Sequence, residues 1–159
     1  MAVLPLKYVG EGVLRRKADK VDKVDKPLAR LLDDMVETMY AANGIGLAGP
    51  QIGVSRRILV VDAGDGPIQL VNPRLVDQDG RAFGTEGCLS IPNIYGEVER
   101  WENIVVKGMD ADGDPVIYEA SGLLSVVFQH EIDHLDGQLF TDLAVKLIDG
   151  EAIERENPE

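Results

Sequence analysis

Two histidines four residues apart carry the strongest chemical signal in the sequence. The segment His130-Glu131-Ile132-Asp133-His134 has the form HExxH. On an α-helix, residues four apart lie on one face, so both imidazoles can bind a single metal ion. Glu131 lies beside them and can reach a water on that ion as a general base. The pattern therefore predicts metal-assisted hydrolysis.

The alternative is a pair of surface histidines on an amphipathic helix, because HExxH also occurs by chance. These are, however, the only two histidines of the chain, and their spacing favours a metal site. Such a site could still stabilise a binding module that has no catalytic activity. That third interpretation stays open at this point.

The third ligand is not fixed by HExxH alone. Gly137 extends the match to HExxHxxG, but Phe140 stands where the metzincin proteases have a third histidine. A thermolysin-like endopeptidase would use a downstream glutamate, here Glu154 or Glu151 in an acidic tail. Zinc deaminases need a PCxxC pair, which a single cysteine cannot supply. Cys88, the only cysteine, is the remaining candidate.

Composition limits the classes of function. The chain has 159 residues and 45% hydrophobic residues, which indicates one folded domain. One cysteine excludes an intramolecular disulfide. The formal net charge of −12 disfavours binding to DNA or RNA backbones. No apolar run approaches the roughly 20 residues of a membrane span, and no secretory signal is visible. We expect a cytoplasmic protein, or an organellar one if a transit segment was removed.

The elements that must position these groups follow from periodicity. Apolar residues recur every three or four positions after Pro27, which predicts a helix that ends at Asn43-Gly44. Short strands are predicted at 57–62, 68–71, 104–109 and 116–119, the last two as an antiparallel hairpin. A second helix is predicted from about 122 to 136, with Ser121 as N-cap. This order is α+β rather than alternating βαβ units.

The second helix has two apolar stripes. One runs on the histidine side and could line an apolar substrate pocket; it comprises Leu123, Val126 and Val127. The other should face the core and comprises Leu124, Phe128, Ile132 and Leu135. A helix that is apolar on two sides is buried on two sides.

Three motifs in order make the chain resemble the peptide deformylases. They are GxGLAxxQ at residues 44–51, EGCLS at 86–90 and QHExDHLxG at 129–137. The resemblance extends from about Leu4 to Asp142. It implies an α+β fold with antiparallel strands packed around a central HExxH helix. It also implies hydrolysis of the N-terminal formyl group from formyl-methionyl nascent peptides, with release of formate.

The resemblance assigns roles to particular residues. Cys88, His130 and His134 would bind one divalent metal ion, with water in the fourth position. Glu131 would be the general base. Gln51 and the backbone N–H of Leu89 would polarise the formyl oxygen. Family members typically use Fe²⁺ in cells, and Zn²⁺ or Ni²⁺ can replace it in purified protein; a thiolate and two imidazoles do not choose between iron and zinc.

The resemblance also suggests how the substrate and the ligands are held. The methionine side chain and the substrate backbone would contact Gly44, Ile45, Gly46, Leu123, Val126 and Val127. Ligating side chains need orienting partners, and the candidates are Glu86, Arg100 and Asp133. We predict that Arg100 pairs with Glu86 or Asp133, which would hold the Cys88 segment against the helix.

Two features depart from the family pattern. Gly49 stands where alanine is common, which removes no catalytic group. Residues 1–142 are expected to form a single catalytic domain, and 143–159 a short acidic tail of the same domain. Many bacterial members end instead in a basic helix that docks on the ribosome. An acidic tail would be repelled by ribosomal RNA, so any transient ribosome contact is expected to use another surface.

Overall fold

In the computed structural model, which describes residues 2–150, the first long helix begins where the sequence predicts. Helix α1 spans Lys26–Ala41. Asp25 caps it, because its carboxylate accepts a hydrogen bond from the Leu28 N–H at 2.9 Å. Pro27 lies in the first turn, where a missing N–H costs nothing. The helix buries its apolar stripe on the sheet, through Leu28, Leu32, Met35 and Met39.

The strands of residues 2–150 form one antiparallel sheet in the order β1-β2-β3-β4-β5, with β6 paired to β4. Their bounds are β1 Gly46–Ala48, β2 Ile58–Val61, β3 Ile68–Cys88, β4 Ile91–Met109, β5 Pro115–Ser121 and β6 Lys146–Asp149. Two further helices, α2 (Gly122–Leu135) and α3 (Phe140–Leu143), follow β5 and precede β6. Single 3₁₀ turns form at Gly12–Arg15 and Gly49–Ile52. The predicted α+β class is therefore confirmed.

The sheet lies between the two long helices. Strand β2 is buried on both faces, and its side chains alternate between two cores. Ile58 and Val60 belong to the core under α1, whereas Leu59 and Val61 belong to the core under α2. On the α2 side that core includes Phe128 and Leu135 together with strand and connector residues. None of the helices within residues 2–150 is long and apolar enough to cross a membrane.

Strands β3 and β4 are much longer than predicted. The sequence indicates strands only at 68–71 and 104–109, but pairing continues to Cys88 and back from Ile91. The added part of β3 is mostly exposed and polar, so it lacks the apolar alternation that identifies a strand. As a result Cys88 ends a strand, whereas the sequence indicates a polar loop. The turn after it consists of Leu89 and Ser90.

Helix α2 is attached to β4 through the side-chain amide of Gln129, which forms the hydrogen bonds that a neighbouring strand would otherwise form. The β4–β5 pairing ends at Asn103, so the next backbone groups of β4 lose their strand partner there. Gln129 supplies it: its Oε1 accepts from the Trp101 N–H at 3.0 Å, and its Nε2 donates to the Trp101 carbonyl at 2.9 Å. Ser125 Oγ also donates to that carbonyl, at 2.8 Å. This connection sets the position of the residue that follows, His130.

We predict that Gln129→Leu destabilises the protein by about 1–3 kcal/mol, because it leaves the part-buried Trp101 N–H without its acceptor and the Trp101 carbonyl with Ser125 Oγ as its remaining side-chain donor. Urea unfolding of chelator-treated protein measures this loss without a contribution from a bound ion. The matched control is Gln138→Leu, since Gln138 is exposed. Equal stability of the two variants would contradict the assigned role of Gln129.

Candidate metal centre

Cys88, His130 and His134 converge at the end of β3. One ligand atom from each of them lies within 4.8 Å of the others. Cys88 Sγ is 3.3 Å from His134 Nε2. The two histidines are one helical turn apart on α2, and Cys88 reaches them because β3 continues to the turn that faces this helix. Both histidines are buried and Cys88 is half-buried.

A chain of ion pairs stands behind these groups. The Glu86 carboxylate accepts from His130 Nδ1 at 2.9 Å. Arg100 donates to the same carboxylate through two nitrogens, at 2.7 and 2.8 Å, and to Asp133 at 2.5 Å. The pairing predicted for Arg100 is therefore present with both carboxylates. Because Glu86 occupies Nδ1, the other nitrogen of His130 is left for the site.

Because these ion pairs are buried, they have a strong effect on the pKa of Glu86. Glu86 and Arg100 are both buried. Burial raises the pKa of Glu86, but the hydrogen bonds from Arg100 and His130 and their charges outweigh it and lower this pKa to about 2. Glu86 therefore stays ionised over the whole physiological range. A permanent carboxylate behind an imidazole raises its basicity as a ligand.

The two histidines have opposite titration behaviour. Burial lowers the pKa of His130, but Glu131, Cys88 and Glu86 outweigh it and raise this pKa to about 10. Burial and the nearby His130 lower the pKa of His134 well below its ordinary value. His134 is thus neutral, as a ligand must be. A divalent cation at the ligands would balance the charge of the carboxylates that raise the pKa of His130.

Glu131 faces the cavity with one oxygen unpaired. Its Oε1 has no hydrogen-bond partner among residues 2–150, although the residue is buried. Burial raises its pKa to about 7, with Glu86 and Asp133 adding to the effect and His130 and Arg100 opposing it. A carboxylate with a pKa near the working pH is suited to accept and return a proton. A cation at the three ligands would lower this pKa toward the ionised form.

The side-chain amide of Gln51 has a fixed orientation. Its Oε1 accepts from the Ala48 N–H at 2.9 Å, so its NH₂ group must point the other way. Nε2 then lies 3.2 Å from Ser90 Oγ and 3.4 Å from Cys88 Sγ. Gln51 is buried in the 3₁₀ turn after β1. One N–H is therefore available toward the ligand cluster, where an oxyanion would need a donor.

The cluster opens into a cavity of about 380 Å³. All the residues that the sequence predicts for substrate contact line it: Gly44, Ile45, Gly46, Leu123, Val126 and Val127. The lining also includes the residues assigned to the ligands and to catalysis, except His134: Gln51, Cys88, Leu89, His130 and Glu131. Arg100 and Asp133 lie outside the lining, behind Glu86.

The backbone of β1 passes very close to Glu131. A Cβ on Gly46 would overlap the Glu131 carboxylate and lie 2.9 Å from Val127 Cγ1. A Cβ on Gly44 would lie 2.7 Å from the Leu89 side chain. These glycines allow the strand to form one wall of the cavity against the helix and the turn.

Sequence reasoning missed two residues that support the site. Ser90 positions Gln51, and Gln129 positions the histidine helix. Both lie inside the recognised motifs, but their partners are far away in the chain, so the spacing alone carries no signal for them. Phe140, which excluded the metzincin pattern, stacks against His130 with ring centroids 6.0 Å apart. Glu151 and Glu154 lie outside the described residues.

The donor set fits a divalent transition-metal ion. It combines one sulfur with two imidazoles, a combination suited to iron, zinc or nickel rather than to magnesium or calcium. The unpaired Glu131 Oε1 beside this set also fits a site that holds a cation and a water. The Glu86 carboxylate beside His130 also favours a bound cation.

Comparisons with known proteins agree on one family. A family model described as polypeptide deformylase matches residues 3–148. A peptide deformylase of Acetivibrio thermocellus is 49% identical over 155 residues, covering 98% of this chain and 91% of the relative. The crystal structure of peptide deformylase from Thermotoga maritima has a TM-score of 0.90 at 40% identity and covers 92% of this chain and 100% of that one. A peptide deformylase of Synechococcus elongatus in complex with actinonin has a TM-score of 0.87 at 42% identity, covering 90% and 79% respectively.

Loss of the Glu86 carboxylate should flatten the acid dependence of stability. The pKa of Glu86 is about 2 in the folded protein and 4.5 as its ordinary value. Its contribution is therefore complete above pH 4.5 and is lost as the pH falls toward 2, which amounts to about 3 kcal/mol. Urea unfolding of ion-free protein at pH 5 and pH 3 should show a smaller decrease for Glu86→Gln than for the native chain. The exposed Glu102→Gln serves as control, and a native-like decrease in Glu86→Gln would refute the assignment.

Gly46→Ala should impair the site more than the fold. The added methyl group meets the Glu131 carboxylate and Val127, and the carboxylate must move to make room. We expect at least a tenfold loss of kcat/KM for hydrolysis of a formylated peptide, because small displacements of a catalytic group are costly. Gly12→Ala is the matched control, since its nearest neighbour would be Arg16 at 4.0 Å. Full activity of Gly46→Ala would show that Glu131 tolerates displacement.

Proposed function

The chain belongs to the polypeptide deformylase family, and we propose that it carries out the family reaction at the site built around Cys88, His130 and His134. That reaction is the hydrolysis of the N-terminal formyl group from formyl-methionyl nascent peptides, with release of formate. The single observation that carries the assignment to this site is the convergence of the three ligand atoms within 4.8 Å beside Glu131.

Cys88, His130 and His134 would hold one divalent ion. We propose Fe²⁺ as the ion in cells, with Zn²⁺ or Ni²⁺ able to replace it in purified protein, because the donor set does not select among them. When bound, the ion brings the pKa of a coordinated water toward neutrality and so supplies the nucleophile. Glu86 and Arg100 keep the His130 ring in the orientation that ligation needs.

The residues around the ligands divide the remaining tasks. Gln51 would donate from Nε2 to the formyl oxygen as negative charge develops there, and the Leu89 N–H would be the second donor. Loss of one such donor typically costs about 3–4 kcal/mol of transition-state stabilisation. The side chain of Gln51 needs no rearrangement for this task, because Ala48 and Ser90 already fix it.

Glu131 would handle both proton transfers. Its carboxylate accepts the proton of the attacking water and later delivers it to the departing amine nitrogen. The unpaired Oε1 and the burial that raises the Glu131 pKa to about 7 support this role. The products are formate and a free N-terminal amine.

The methionine side chain would enter the cavity along Leu123, Val126 and Val127. The apolar stripe of α2 supports this, since it borders the cavity while the other stripe packs in the core. Ile45, which is 46% exposed, would cover the substrate from the β1 side. Gly44 and Gly46 would let the peptide backbone approach that wall closely.

We also propose the finer features of the family fold for this chain. Helix α2 contacts β1, β2, β4 and β5, which supports a central place for the HExxH segment. Residues 1–142 would form the catalytic domain and 143–159 its tail. The substrate emerges from the ribosome, which supports a cytoplasmic place of action. A transient ribosome contact would use a surface other than residues 143–159, which carry more acidic than basic residues.

Formate release from a formyl-Met peptide, measured without oxygen and with Fe²⁺ or Ni²⁺ present, tests the proposal. We expect Cys88→Ala to lose both the bound ion and activity. Glu131→Gln should keep the ion but lose about 10²–10⁴-fold in kcat. Gln51→Leu should lose about 10²–10³-fold.

Glu154→Ala separates this proposal from an endopeptidase that uses Glu154 as a ligand. We expect the variant to keep its ion content and its activity. Absence of formate with either metal would refute the proposed function. A native chain that binds the ion but releases no formate would favour a metal-stabilised binding module, whereas native activity of Glu131→Gln would contradict the proposed role of Glu131 as general base.

A further inference from the structure

A second cavity, of about 370 Å³, lies beside the proposed methionine pocket. It runs between the outer part of β3 and the first turn of α2. Val126 lines both cavities. The two cavities therefore meet at this side chain.

The strand leaves a gap opposite Val126. Side chains two apart on a strand share a face, and the β3–β4 register is regular from Ala82 to Gly87. Glu86 faces His130 on α2, so Gly84 faces the preceding helical turn, where Val126 lies. A Cβ built on Gly84 would have no heavy atom within 4 Å. The strand thus contributes no side chain to the wall at this point.

A second glycine widens the same gap. Gly122, the first residue of α2, also lines this cavity and also has nothing within 4 Å of a built Cβ. The lining also includes two charged residues, Arg100, which is engaged by two carboxylates, and the exposed Glu102. Val126, the residue that the two cavities share, is apolar.

We propose that this groove extends the pocket for the first side chain of the substrate. It would admit unbranched apolar chains longer than that of methionine, which pass Gly84 and lie along Val126. Gly84 is then the residue that sets the upper length of the accepted side chain. This inference rests on the proposed function, because it names the substrates of the same site.

The expected size of the effect follows from burial of apolar surface. Each methylene that leaves water for an apolar groove contributes up to about fourfold in kcat/KM. A side chain that meets a closed wall must instead bend or displace the wall, which lowers kcat/KM with each added carbon. As the substrate side chain becomes longer, kcat/KM therefore rises if the groove is open and falls if the wall is closed.

The experiment measures formate release from N-formyl peptides that differ only in the first side chain. The series is methionine followed by S-ethyl-, S-propyl- and S-butyl-homocysteine, assayed with the Fe²⁺-loaded enzyme without oxygen. For the native chain we expect kcat/KM to stay level or to rise along the series. For Gly84→Val we expect the ratio of kcat/KM on the S-butyl substrate to kcat/KM on formyl-Met to fall at least tenfold below the native ratio.

Gly12→Val is the matched control, because it adds the same side chain at a glycine whose Cβ would meet only the end of the Arg16 side chain, at 4.0 Å, and should keep the native profile. Gly84→Ala should give an intermediate loss, and it answers the same question if Gly84→Val does not fold. A steep fall already at the S-ethyl substrate in the native enzyme overturns the inference, as does an unchanged profile in the Gly84 variants. No hydrolysis of formyl-Met itself instead refutes the proposed function and removes the inference with it.

Discussion

The site depends on one buried guanidinium. Arg100 joins Glu86 on its own hairpin to Asp133 on α2, and Glu86 in turn holds His130. Burying such ions gives little net stability, because desolvation offsets most of the attraction, whereas removal of one partner is strongly destabilising. What the network does provide is position: two strands and the helix that carries His130 and His134 are joined at defined distances. The Cys88 thiol can then meet both imidazoles although it lies more than forty residues earlier in the chain.

Burial and the same network together account for the unusual titration behaviour of the site. Glu86, Glu131 and Asp133 are carboxyl groups close to the ligands, and the Arg100 cation is already shared between Glu86 and Asp133. A surplus of negative charge raises the pKa of any nearby group, acid or base. Carboxylates therefore contribute to the raised pKa values of both His130 and Glu131. A divalent cation at the ligands would satisfy this surplus and would release Glu131 to act as a base.

Local periodicity predicted the helices well and the strands unevenly. Helix α1 and helix α2 both have apolar residues at helical spacing, and their bounds agree with prediction to within two residues. In the outer half of the β3–β4 hairpin, β3 is mostly exposed and polar. On β4 the alternate residues Gly96, Val98 and Arg100 are buried, but only Val98 of these has an apolar side chain, so the apolar alternation that identifies a strand is missing. The pairing of Arg100 was predictable only as a choice between two carboxylates. Ser90 and Gln129 act on partners that no spacing rule connects to them.

Glycines around the site illustrate why the same residue type has opposite meanings. At Gly46 a side chain has no room, since the helix bearing Glu131 lies against the strand. At Gly87 a Cβ would lie 2.8 Å from the ring of Tyr95, its partner across the hairpin. At Gly84 a side chain would meet nothing, and the empty volume is itself the feature. The sequence alone does not distinguish these three glycines from one another. The space that a Cβ would occupy distinguishes these positions. At Gly46 this space is filled by the residues that form the wall of the cavity, whereas at Gly84 it is empty and, in our proposal, sets the length of side chain that the substrate can have.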